Sequence, residues 1–269
     1  MPLAICVTPI GNLGDVTLRV MDELRAADVI LCEDTRRTRI LLARHGIEAR
    51  LESHHRHNEV ARTPHVVERL RAGERVALVS DAGLPGVNDP GARVIEAAVA
   101  AGVEVTVLPG ASAVETALVI SGLGADRYLF VGYLPRRAGE LRTLAGELGG
   151  WSGAVVAFES PRRLPGSLRV LAEVLPDRRA AVCRELTKRF EEVVRGSLEE
   201  LAARFVEAPR GEITLVLGPT TSSAAARVDD DARAAVSDLV AAGASRRAAA
   251  EVVARLTGTS RNALYRDSL

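Results

Sequence analysis

Residues 76–91 read VALVSDAGLPGVNDPG, a short unbroken apolar run that stops at Ser80 and passes into glycine, proline and aspartate. A run this short, without polar alternation, fits a strand buried on both faces, as in a parallel sheet covered by helices. The same unit recurs on either side. Apolar runs at Ala4–Val7, Val29–Cys32 and Val103–Leu108 each lead into a loop and then an amphipathic stretch. That repetition predicts a parallel α/β domain over residues 1–120. In such sheets ligands bind beyond the carboxyl ends of the strands, so the loops opening at Thr8, Glu33, Asp81 and Pro109 should share one rim.

Ser80–Gly91 packs three glycines, two prolines and two aspartates into twelve residues, the composition of a loop whose main chain is approached closely by a ligand. The first loop, TPIGNLGD from Thr8 to Asp15, has Gly11 and Gly14 but not the GxGxxG spacing of a dinucleotide fingerprint, which disfavours a Rossmann dehydrogenase. It can equally be a tight strand-to-helix turn capped by Asp15. The second, Cys32–Arg39, sets arginines at a helix opening, where cations oppose the helix dipole. A phosphate held by Arg36 and Arg37 would explain them, as would a solvated face with internal ion pairs. Ser53–Glu59 gathers three of the five histidines, but adjacent residues point in different directions, so a polar substrate-facing loop fits better than a metal site. Small residues at Pro109–Ala113 leave helix-start amides open to a ligand, or only permit close helix–sheet packing.

Beyond Ser121–Gly124, runs at Tyr128–Val131, Ala154–Phe158, Ala180–Arg184, Glu191–Arg195 and Ile213–Leu217 come closer together, predicting a second α/β domain over residues 121–219 with a mixed sheet. Pro219–Asp231 reads as a linker. Ala232–Ala242 and Arg246–Leu256 read as helices, with a third opening at Ser260, giving a small helical tail over residues 232–269.

The formal net charge is zero, so any grip on nucleic acid must be local. No stretch of about 18 uncharged apolar residues suggests a membrane span. The first residues lack the pattern of an export leader, and a cytoplasmic location is expected. Cys6, Cys32 and Cys183 have no disulfide or zinc spacing, and no metal is expected. Among 35 lysines and arginines Lys188 is the single lysine, in the run Arg184–Lys188. An amine can lose its proton or act as a compact donor where a guanidinium cannot, which singles Lys188 out as a candidate catalytic group.

Taken together these segments resemble the tetrapyrrole methylase superfamily, and most closely its ribosomal RNA small-subunit methyltransferase I branch. The matching stretches are VTPIGNLGD, ADVILCEDTRRTRILLARHGI, SDAGLPGVNDPG, VLPGASA, FVGYLPRR, FESPRRL, CRELTKRFEEVVRG and RGEITLVLG, in order from Cys6 to Gly218. The resemblance implies two α/β domains with S-adenosylmethionine in the cleft between them. It further implies a homodimer and methylation of a cytidine ribose 2′-hydroxyl in the decoding region of 16S ribosomal RNA, within the small subunit. It places the methyl donor against Asp81, Gly83, Leu84, Pro85 and Val87, with further contacts from Ile10, Gly11, Ser112, Ala113, Leu186, Ile213 and Thr214. Lys188, as a base or an orienting donor, has Glu185 as its partner, and a Lys188→Arg variant with near-normal turnover would remove that assignment. Arg36, Arg37, Arg162 and Arg163 are the candidate phosphate contacts. The chain departs from the usual DAGTPLISDPG pattern at Leu84, Gly86, Val87 and Asn88, and from the usual side chains at His54, Arg56 and near Arg162.

Two rivals stand beside this reading. A tetrapyrrole C-methyltransferase would keep the fold, but aromatic content is 3% and arginines crowd the rim. A non-catalytic RNA-binding module would use the tail, where TGTSRNALYR is helix-turn-helix-like, yet would not need the glycine-rich rims.

Overall fold

The computed structural model describes residues 2–124, 126–220, 223–257, 259, 261, 264 and 265, and for 223–230 the backbone only. The chain forms two compact units, one of Met1–Ile120 with Cys183–Val193 and Gly211–Thr214, the other of Ser121–Val182, Val194–Arg210 and Leu215–Leu269.

The first unit alternates β1 (Leu3–Cys6), α1 (Leu18–Ala26), β2 (Val29–Cys32), α2 (Thr35–Arg44), β3 (Leu51–Ser53), α3 (Glu59–Arg71), β4 (Val76–Leu78), α4 (Ala92–Ala100), β5 (Val105–Leu108) and α5 (Ala113–Ser121). Its five strands lie in the order β3-β2-β4-β1-β5, all neighbours parallel. The strand period of two divides the apolar runs between the faces. Ala4, Cys6, Ile30, Cys32 and Ala77 pack on one side with Val20 and Leu24 of α1 and Leu42 of α2. Leu3, Ile5, Val29, Leu31, Val76 and Leu78 pack on the other with Val66 and Leu70 of α3 and Val94 and Ala98 of α4. Each large aliphatic side chain so buried contributes about 1.5–3 kcal/mol.

Adjacent strands β1 and β4 therefore send their chains to opposite faces: α1 joins one cluster and α4 the other. Between such strands a crevice opens at the carboxyl ends. The short edge strand β3 was not foreseen, because Leu-Glu-Ser has one apolar residue and only partial burial. Asp15 is not a helix cap. Asn12 caps the 3-10 turn Leu13–Asp15, and Thr17 caps α1 through Val20 N at 3.2 Å.

The second unit carries β6 (Tyr128–Tyr133), α6 (Ala138–Gly149), β7 (Ala154–Glu159), α7 (Leu164–Val174), β8 (Arg179–Arg184), β9 (Glu192–Ser197), α8 (Leu198–Arg204) and β10 (Ile213–Leu217), several of whose strand ends count with the first unit. The sheet order is β6-β7-β10-β8-β9, a mixed sheet in which β6 runs parallel to β7. A reciprocal capping box, Glu200 N to Ser197 Oγ and Ser197 N to Glu200 Oε2, starts α8 where β9 ends. Buried Arg178 has no carboxylate partner among the described residues. It donates to the carbonyls of Leu148, Gly153 and Gly218 at 2.7–3.1 Å, and burial pushes its pKa down to about 10.

Two further helices follow, α9 (Ser223–Ala241) and α10 (Arg246–Thr257), closing a small core of Ala232, Val236, Ala249, Ala250, Val253 and Leu264. Helix α9 starts inside the stretch read as a linker, whose alanines favour helix despite its acids. The third helix expected from Ser260 lies outside the described residues except at 261, 264 and 265. No helix among the described residues is long and apolar enough to cross a membrane.

Candidate functional site

The loops leaving β1 and β4 are tied together by main chain. Thr8 N donates to Gly83 O and Gly83 N to Thr8 O, both at 3.0 Å, while Thr8 Oγ1 donates to Ser80 O at 3.0 Å. Ser80 Oγ turns back onto Gly83 O at 3.1 Å. A Cβ built on Gly83 would lie 3.7 Å from Ile10 Cγ2 and 4.0 Å from Ala111 O, so three of the rim loops converge at that point.

The loop after β2 joins through Asp81, whose Oδ1 accepts from Asp34 N at 3.0 Å and whose Oδ2 lies 3.5 Å from Arg37 Nη1. Asp34 caps α2 by accepting from Arg36 N at 2.9 Å, and the Arg36 guanidinium folds back on the same carboxylate at 2.7 and 3.0 Å. Those bonds hold the Asp34 carboxyl well below the usual range. Local ion pairs thus engage both Arg36 and Arg37 at a helix start, where cations oppose the dipole. Next to this knot two carboxyls move the other way. Burial first, then the Asp81 charge, raises Glu33. Burial, then the charges of Glu33 and Asp81, pushes Asp89 up to about 6 against the opposing Arg56.

The remaining wall is the turn after β8. Glu185 and Thr187 adopt φ of 53° and 65°, a left-handed backbone that side chains disfavour. Surrounding bonds over-determine it: Glu185 N to Glu212 O at 3.0 Å, Lys188 N to Glu185 O at 3.0 Å, and Thr187 N to Glu191 Oε2 at 2.7 Å. Lys188 Nζ donates to Glu185 Oε1 at 2.8 Å and to Glu212 Oε2 at 2.9 Å. Partial burial pulls the ammonium pKa down, but the hydrogen bonds and charges of Glu185 and Glu212 outweigh it, and the pKa stands above the ordinary lysine value. Two carboxylates thus hold the Lys188 ammonium at the cavity wall.

Glycines let these pieces meet. A Cβ on Gly211 would come within 2.3 Å of Glu185 Cγ, and one on Gly11 within 2.5 Å of Lys188 Cγ and 2.8 Å of Leu186 O. Between them lies a cavity of about 220 Å³ lined by Thr8–Gly11, Leu13, Arg37, Thr38, Ile40, Leu41, Ser80–Ala82, Lys188 and Glu212. Thr187 Oγ1 is buried beside it without a partner among the described residues.

Of the residues singled out in the sequence, Ile10, Gly11, Arg37, Asp81 and Lys188 line this cavity. Glu185 stands behind Lys188. Gly83 and Pro85 are buried in the glycine-rich loop, whereas Leu84 and Val87 expose apolar side chains there. Ser112 and Ala113 are half-buried at the start of α5, and Leu186, Ile213 and Thr214 are buried. Arg162 is exposed. Arg163 reaches Leu134 O at 2.9 Å and clamps the buried Glu159 carboxylate, which Ser167 Oγ also approaches at 2.5 Å, so its fork holds β7 to α7. His54, in the loop read as substrate-facing, is buried, with both ring nitrogens unpartnered among the described residues, and burial lowers its pKa. Glu212 was missed, because one acid among 35 carries no signal until the fold sets it against the lone lysine.

The family model described as Tetrapyrrole (Corrin/Porphyrin) Methylases matches residues 3–202. A Mesorhizobium japonicum protein named ribosomal RNA small subunit methyltransferase I is 44% identical over 267 residues, 98% of this chain and 90% of the relative. A Thermotoga maritima protein of the same name is 41% identical over 216 residues, 80% of this chain and 97% of the relative. Among solved structures, uroporphyrin-III C-methyltransferase from Thermus thermophilus, complexed with S-adenyl homocysteine, aligns with a TM-score of 0.57 over 81% of this chain and 97% of that one. Its 20% identity speaks to the fold alone. The chain belongs to the tetrapyrrole methylase family and, within it, to the ribosomal RNA small subunit methyltransferase I family.

Proposed function

We propose that the protein is an S-adenosylmethionine-dependent methyltransferase that modifies the ribose 2′-hydroxyl of a cytidine in the decoding region of 16S ribosomal RNA, presented within the small subunit. The observation that carries the chemistry is the rim cavity in which Lys188, held by two carboxylates, faces the main chain of the Thr8–Gly11 and Ser80–Ala82 loops. The relatives' shared name carries the substrate class.

The glycine-rich rim fits the methyl donor. The crevice where Ile10, Gly83 and Ala111 converge is filled by no side chain at Gly83, and the exposed Leu84 and Val87 offer apolar cover for a flat ring. Asp81, Gly83, Pro85, Ser112, Ala113, Leu186, Ile213 and Thr214 would complete that hold, largely through main chain. When bound, S-adenosylmethionine supplies an activated methyl group on a sulfonium. The chain's own work is to align the acceptor oxygen, exclude water and provide for its proton. Arg37 and the exposed Arg162 are the guanidiniums placed to meet phosphate, with Arg36 available on release from Asp34 and Arg163 last, since it already clamps Glu159. Such contacts weaken as salt rises. A homodimer is supported by exposed apolar side chains on β5 and α5, Val107 and Val119. The reading places the enzyme in the cytoplasm, with no metal.

The test is transfer of labelled methyl from S-adenosylmethionine to undermethylated small subunits, with naked ribosomal RNA and a tetrapyrrole precursor in parallel. Label in a cytidine ribose of subunit RNA is the expected result. Label only in the tetrapyrrole, or in neither, would overturn the assignment.

A further inference from the structure

We infer that Glu212 is the proton acceptor of the methyl transfer and that Lys188 is the fixed ammonium that orients both Glu212 and the acceptor hydroxyl. The inference rests on the ribose-methyltransferase reading and assigns the one step that reading leaves open: where the hydroxyl proton goes.

Four ionisable side chains bear on the cavity wall: Arg37, Asp81, Lys188 and Glu212. Arg37 cannot accept a proton, and Lys188, raised above the ordinary lysine pKa, already carries one. Asp81 has both oxygens engaged, one by Asp34 N and the other by Arg37. Glu185, behind the wall, uses Oε1 to bind Lys188 Nζ and Glu212 N at once, and its Cγ and Oε1 are confined against Gly211. Glu212 differs from all of them. Its side chain is 67% exposed and lines the cavity, Oε2 is on Lys188, and Oε1 has no partner among the described residues. Its main chain is pinned to Glu185 in both directions, so the carboxylate is held at its root and open at its tip.

An ammonium has three donors, and Glu185 and Glu212 take two, leaving the third for an oxygen in the cavity. With the ribose hydroxyl on that third donor, Glu212 is the neighbouring free acceptor. As the carbon–oxygen bond forms and the carbon–sulfur bond breaks with its electron pair leaving on sulfur, the hydroxyl proton passes to Glu212 and from there to water. Lys188 stays charged throughout.

The experiment compares wild type, Glu212→Gln and Glu212→Asp with undermethylated small subunits as acceptor. Glutamine keeps an acceptor for Lys188 but cannot take the proton, so kcat should fall about 100-fold or more, the usual scale of a lost general base, with donor affinity by calorimetry unchanged. The acid limb of the kcat–pH profile should vanish in Glu212→Gln and persist in Glu212→Asp, at a lower rate. Because Lys188 is the single lysine, isotopic lysine labelling gives one side-chain NMR signal. Its pKa should fall in Glu212→Gln, with or without donor present. Wild-type turnover accompanied by near-normal kcat and an unchanged pH profile in Glu212→Gln would overturn the inference while leaving the function intact. An unmoved lysine pKa would also overturn it. Absence of ribose label from the wild type would overturn the function, and the inference with it. Thermal unfolding checks each variant, and the aspartate variant carries the test if the glutamine variant fails to fold.

Discussion

Replacing Asp89 by Asn should stabilise the protein at neutral and alkaline pH, and only there. The carboxyl sits in the rim loop among Glu33, Asp81, Ser80 and Arg56, and burial followed by the Glu33 charge pushes its pKa from an ordinary 3.8 up to about 6. A raised carboxyl pKa means the fold disfavours the ionised form relative to the unfolded chain. Its contribution is therefore fully present below the unfolded value and is lost as pH rises through about 6. At about 1.4 kcal/mol per tenfold shift in the proton equilibrium the upper bound is about 3 kcal/mol. Solvent reaching a half-buried group leaves about 1–2 kcal/mol of that. The amide has the same shape but carries no charge against Glu33 and Asp81. Urea unfolding of both proteins from pH 4 to 8 measures the effect: coincident stabilities at pH 4, and Asp89→Asn ahead by about 1–2 kcal/mol at pH 8. A gap independent of pH, or a variant less stable at pH 8, would refute the reasoning.

Gly11→Ala should displace the Lys188 turn, because the added methyl meets Leu186 O at 2.8 Å as well as the Lys188 stem. The expected outcome is a loss of about 1–3 kcal/mol in chemical denaturation together with a drop in kcat larger than any change in donor affinity. Arg178→Met should cost about 2–4 kcal/mol, since it strands the buried carbonyls of Leu148, Gly153 and Gly218; differential scanning calorimetry at neutral pH reads it. The three cysteines are buried, with Cys6 pushed by burial to about 12 and Cys32 also raised. A thiol reagent at pH 8 should therefore label none in the native protein and all three after unfolding, and rapid native labelling would contradict the burial.

The first sheet was legible because its inner strands are sealed on both faces, so Leu3–Cys6, Val29–Cys32 and Val76–Leu78 appear as bare apolar runs. Leu51–Ser53 escaped because an edge strand needs only one covered side and keeps Glu52 for the buried Arg69. In the site, the legible residues were those out of place as mere connectors: a lone lysine, and glycines at a strand end. Glu212 meets Lys188 only once the fold brings the two together across the turn that carries Glu185, and nothing local in the sequence marks it. Arg163 carried a signal that went unread. Its spacing to Glu159, four residues back and buried, already names one partner.

The first compact unit is not finished when its own sheet is. Its last strand ends at Leu108, yet Cys183–Val193 and Gly211–Thr214 also belong to it. During vectorial synthesis, at about 5–20 residues per second, a nascent chain would hold the completed sheet for several seconds before Glu212 arrives. Lys188 itself emerges only near the end of that interval, and until Glu212 follows its ammonium lacks the outer carboxylate that it binds in the full chain. Assembly of the cavity thus depends on contacts distant in sequence, which form late. On the role inferred for Glu212, a polypeptide halted before residue 212 would be chemically idle however much of its core had folded, which ties competence to the arrival of one short returning segment.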